Sequence, residues 1–98
     1  MADLDFDKRI QPFVNVNCKR IEASLSVQKD RLYPKCVYVD SLVFGDTKTP
    51  TTSADRSFFS LALREYVRIN WNDTLEVGKK YHCVIIPKTK TVTVELKK

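Results

Sequence analysis

Lys80-Tyr81-His82-Cys83-Val84-Ile85-Ile86, then Pro87-Lys88-Thr89-Lys90, then Thr91-Val92-Thr93-Val94-Glu95-Leu96 carries the clearest structural signal in the chain. Tyr81, Cys83 and Ile85 alternate with polar or smaller neighbours, and Val92, Val94 and Leu96 do the same beyond a tight loop. Period-two alternation on both sides of a short turn is the pattern of a β-hairpin with one buried face.

Upstream, Asn70 to Gly78 reads as a turn segment. Residues 57–71 fit two periods. A helix capped by Asp55 or Ser57 would place Phe58, Leu61, Ala62, Glu65 and Ile69 at helical spacing, whereas a strand would align Phe59, Leu61 and Leu63. The helix formers Leu61, Ala62, Leu63, Arg64 and Glu65 favour a short helix over residues 58–67. Gly45 to Arg56 is the longest expected loop, rich in Thr, Pro, Ser and Asp. Cys36 to Phe44 reads as a strand apolar on both faces, and Lys29 to Pro34 as a polar turn. From Arg20 to Gln28, Ile21, Ala23, Leu25 and Val27 fall on one face, as in a half-buried strand. Residues 13–17 suggest a further short strand, and residues 1–9 a frayed acidic N-terminus. Residues 10–98 then form a single β-rich domain. The fold class expected is mainly β (α+β): about five strands and one short helix, arranged as a small barrel or a curled antiparallel sheet.

With 98 residues, the chain has room for one small core and a surface site, and little room for a deep cleft. No stretch approaches the ~20 apolar residues of a membrane-spanning helix. Three cysteines, Cys18, Cys36 and Cys83, lack the spacing of a disulfide framework or a zinc site. Cys36 and Cys83 sit among apolar residues as small hydrophobes, which suggests a reducing compartment and a cytoplasmic location.

Chemistry-bearing patterns are scarce. The single histidine, His82, lies beside Cys83 in a strand, so the two point to opposite faces and cannot pair as base and nucleophile. There is no Gly-rich phosphate loop, no carboxylate pair in an apolar setting and no metal-ligand spacing. The expectation is a protein that is not an enzyme and carries no cofactor or metal.

The net charge is +5, and the excess lies in the last twenty residues: Lys79, Lys80, Lys88, Lys90, Lys97 and Lys98 face one acid, Glu95. Such a cluster attracts anionic partners, and it equally suits the protection of a sheet edge. A hairpin of this length is only ~20–25 Å long, so the lysines should gather at its two ends. Tyr38, Tyr66, Trp71 and Tyr81 stand near Arg64, Arg68, Lys79 and Lys80, a loose version of the aromatic-basic interleaving of single-strand binders. Trp71, between turn residues, is either a lid on the core or an interface anchor. The candidate partner-binding residues are therefore Trp71, Arg64, Arg68, Lys79, Lys80, Lys88 and Lys90.

The second half also resembles a known family. Phe59-Ser60-Leu61, Arg64, Leu75-Glu76-Val77-Gly78, Tyr81-His82-Cys83-Val84-Ile85-Ile86 and Val92-Thr93-Val94-Glu95-Leu96 are similar to the N-terminal subdomain of the N-ethylmaleimide-sensitive fusion ATPase and its valosin-containing relatives. The resemblance covers about 40 of the 98 residues, and its motifs are short. It implies a double-psi β-barrel acting as a substrate- or adaptor-docking module without ATPase activity. From residues and resemblance together, the expected function is a non-catalytic protein–protein interaction module: an adaptor, docking or inhibitor domain. A virus-encoded inhibitor fits the size and charge equally. The alternative is a small nucleic-acid binder using the lysine-rich hairpin, with weak affinity at physiological salt.

Overall fold

The computed structural model describes residues 2–45 and 52–97. Its elements run α1 (Ala2–Asn15), β1 (Arg20–Gln28), β2 (Cys36–Gly45), α2 (Ser53–Asn70), β3 (Lys80–Ile86) and β4 (Thr91–Leu96). The four strands form one antiparallel sheet in the order β2-β1-β3-β4. The domain is α+β; among the described residues two helices cover one sheet face and leave the other open. Among the described residues four strands and two helices stand where about five strands and one short helix are expected, and the sheet is open and not closed into a barrel, ending in two edges, β2 and β4.

The alternation in β1 and β3 holds throughout. Ile21, Ala23, Leu25 and Val27 are buried, as are Tyr81, Cys83 and Ile85 opposite them. Strand β2 is not apolar on both faces as its composition suggests. Its register against β1 shifts at Asp40, where one extra residue bulges out. The bulge lets Val39 and Leu42, three positions apart, point the same way, and both lie against the core.

Residues 2–15 form a helix instead of a frayed tail and a short strand. Phe13-Val14-Asn15-Val16 alternates like a strand, but Phe6, Ile10 and Phe13 recur at helical spacing and all three are buried. Pro12 lies in the last turn. The helix ends with Asn17 at φ 57°, a left-handed conformation that asparagine tolerates. The N–H of Cys18 donates to the Phe13 carbonyl at 2.9 Å, and that of Asn17 to Val14 at 3.0 Å. This Schellman pattern satisfies two terminal carbonyls and turns the chain into β1.

Helix α2 is longer than the expected 58–67, and it starts earlier. Its cap is Thr52, not Asp55 or Ser57: Thr52 Oγ1 accepts from the Asp55 N–H at 3.1 Å, and Asp55 Oδ2 accepts from the Thr52 N–H at 3.4 Å. The expected Gly45–Arg56 loop is thereby shortened, and its residues 46–51 lie outside the described ones. Thr52→Ala should cost about 1 kcal/mol, read as a lower midpoint in urea. An unchanged midpoint would mean that the capping box contributes nothing. Phe59, Ala62, Leu63 and Val67 form the buried stripe of α2, which packs on β2 and against α1.

Candidate interaction surfaces

The hairpin's lysines divide as its length demands. The β3–β4 ladder runs from Tyr81 opposite Leu96 to Ile86 opposite Thr91. Lys88 and Lys90 occupy the turn, and Lys90 takes φ 57° there, with its ammonium 3.9 Å from Asp7 of α1. Lys79, Lys80 and Lys97 gather at the other end, where the Lys97 N–H donates to the Lys80 carbonyl at 2.9 Å. Lys98 lies outside the described residues.

The open sheet face is polar and of mixed sign. Glu22 sits 3.2 Å from Arg20 and 3.5 Å from His82 Nε2. Ser26 Oγ donates to Asp40 Oδ1 at 3.2 Å. A shallow depression of ≈ 290 Å³ lies beside that bond, lined by Ser24, Ser26, Gln28, Asp40, Lys80 and Lys97. His82 shares this face, while Cys83 is fully buried on the other, so their separation follows the strand's alternation.

Arg64 and Arg68, one helical turn apart on α2, each meet a tyrosine. Arg68 lies 6.0 Å from the Tyr33 ring and 2.9 Å from Glu65, whose carboxylate raises its pKa. Arg64 lies 5.4 Å from the Tyr38 ring, and its Nη2 donates to Cys36 Sγ at 3.4 Å. Tyr38 titrates above its ordinary value of 10.0, chiefly through its hydrogen bond with Cys36. Leu32, 81% exposed, and Tyr33 sit on the neighbouring loop, which Lys35 ties to the carbonyl of Asn72 at 2.6 Å. Tyr33 and Leu32 escaped the sequence reading, because a polar turn gives no sign of which helix it will lie beside.

Trp71 is half-buried at the C-cap of α2, 6.0 Å from the Tyr66 ring and packed on the core. That geometry fits a lid on the core and leaves part of the indole at the surface. The structure therefore gathers Arg64 and Arg68 on one side, Lys79 and Lys80 at one end of the hairpin, and Lys88 and Lys90 at the other. It does not unite them in one patch. Among the described residues no three His, Cys, Asp or Glu side chains converge as metal ligands, and no helix is long and apolar enough to cross a membrane. No family model, curated protein or solved structure matches the chain.

Proposed function

We propose that this chain is a non-catalytic protein–protein interaction module, an adaptor, docking or inhibitor domain. The observation that carries the reading is the division of the hairpin's lysines into two separate groups, with Glu22, Asp40 and Glu95 spread across the open sheet face. A nucleic-acid backbone is a continuous track of charge, bound through many basic contacts along its length. Sheets that bind single strands also present aromatic platforms. This open face offers acids instead, and its one tyrosine, Tyr38, is engaged by Arg64. A protein partner needs only local complementarity and can use one basic end. The docking role implied by the resemblance of the second half is of the same class. Three buried thiols without a disulfide support work in a reducing compartment such as the cytoplasm.

The test is a tagged chain exposed to nuclease-treated lysate at ~150 mM salt, the regime in which electrostatic nucleic-acid binding is weak. A stoichiometric protein partner should be retained. Lys88→Glu with Lys90→Glu should reduce that retention at least tenfold without changing the circular dichroism spectrum. A sub-micromolar dissociation constant for an oligonucleotide at the same salt would reject this reading in favour of the nucleic-acid alternative.

A further inference from the structure

We propose that β4 is a receptive sheet edge that takes up an extended, acidic-ended segment of the protein partner as a fifth strand. The inference rests on the protein-binding reading and gives it a surface. The two edges of the sheet differ. Along β2 the ladder is interrupted by the bulge at Asp40. Arg64 also reaches from α2 past that strand to Cys36 Sγ and the Tyr38 ring. Bulges and covering side chains make an edge unreceptive. Among the described residues no bulge interrupts β4 and no side-chain contact spans it as Arg64 spans β2, and Thr91–Leu96 run in unbroken register against β3.

The backbone phase of β4 follows from one bond. Lys97 and Lys80 are a hydrogen-bonded pair, the Lys97 N–H donating at 2.9 Å. In an antiparallel ladder the pairs alternate, so Thr91, Thr93 and Glu95 turn their backbone groups toward β3. Val92, Val94 and Leu96 turn theirs outward, where an added strand would find them. The side chains of these three lie on the helix-covered face, and their cover thins along the strand: Val92 is buried, Val94 half-buried and Leu96 52% exposed. Apolar side chains of an incoming strand would extend that face beside Val94 and Leu96.

Charge selects the occupant. Lys88 and Lys90 flank one end of β4 and Lys80 and Lys97 the other, about 20 Å apart along a strand of this length. An extended segment with acids near both ends and apolar residues between them meets all of these groups. A second copy of this chain does not. Antiparallel self-pairing of the outward groups centred on Val94 sets Lys97 of one copy opposite Thr91 of the other, beside Lys90, and parallel pairing brings like ends together. Lysines that discourage self-pairing leave the edge available to an acidic strand.

The probe is a capped synthetic nonapeptide, DEVTVTVED, added to the full chain at low salt. Saturation should slow hydrogen exchange of the Val92, Val94 and Leu96 amides at least tenfold and leave the amides of α2 unchanged. The lysine-ended peptide KKVTVTVKK should bind at least tenfold more weakly, and Lys88→Glu with Lys97→Glu, which leaves one charge of each sign at each end, should abolish that preference. Of two peptides N-methylated at alternate residues, one should bind and the other should not, because a strand pairs along one side. Protection at another surface would overturn the proposal. So would equal behaviour of the two N-methylated peptides, or protection of the same amides by self-association in sedimentation. If a natural partner is retained from nuclease-treated lysate by both the wild type and the Lys88→Glu, Lys97→Glu variant, the β4 assignment fails while the protein-binding reading stands. If neither retains a partner and an oligonucleotide binds instead, both fail.

Discussion

Phe59→Ala should destabilise the domain by about 3–5 kcal/mol, the range for removing a large buried ring. Phe59 is fully buried in α2. Its ring lies 5.0 Å from Phe13 and 5.9 Å from Phe6, both on α1, and 6.4 Å from Phe44 on β2. It therefore joins both helices and the sheet at one point. Domains of this size have only about 5–15 kcal/mol in total, so the variant should lie close to its unfolding limit at room temperature. The adjacent Phe58→Ala is the control. Phe58 is 46% exposed, with the Arg9 guanidinium 4.5 Å above its ring, and its loss should cost no more than about 1 kcal/mol. Urea unfolding of the two variants decides the matter. Equal midpoints would mean that α2 presents a different face to the core.

Raising the pH should destabilise the domain through Cys83. Burial alone pushes this thiol up from 9.0 to about 12. An acid whose pKa is raised by folding holds its proton more tightly in the native state. The native protein therefore keeps the full benefit below the unfolded value near 9.0 and loses it progressively as the pH climbs toward 12. The slope for one group is about 1.4 kcal/mol per pH unit, or about 4 kcal/mol over the whole window. Urea unfolding of the wild type and Cys83→Ala at several pH values between 8 and 11 isolates it, since the other titrating groups are common to both. The wild type should lose stability more steeply above pH 9, and parallel curves would refute the assignment. At neutral pH the same burial should make Cys83 react slowly with an aromatic disulfide reagent, because the thiolate is the reactive form.

All four strands were legible in the amino-acid order, three through the period of two that burial of one sheet face imposes on an uninterrupted strand and β2 through its β-branched and aromatic composition. Residues 20–28, 80–86 and 91–96 show it plainly, and the division of the hairpin lysines into two ends followed from the length of the ladder. Two helical signals were present but masked. Thr52 and Asp55 have the spacing of a capping box, yet they stand in a stretch rich in Thr, Ser and Pro that reads as loop. Phe6, Ile10 and Phe13 have helical spacing, but Phe13-Val14-Asn15-Val16 competes with it over a short window, and packing against Phe59 and Tyr66 of α2 belongs to the tertiary structure. The bulge at Asp40 likewise became readable only against β1, since an extra residue is defined by its partner strand. The same holds for the surfaces. Which strands form the edges, that Arg64 covers one of them, that Trp71 lies over Tyr66 and that Tyr33 meets Arg68 all depend on pairings between segments far apart in the chain. Periodicity is a local property that each segment carries alone, whereas strand order and edge cover arise from contacts that no single segment contains.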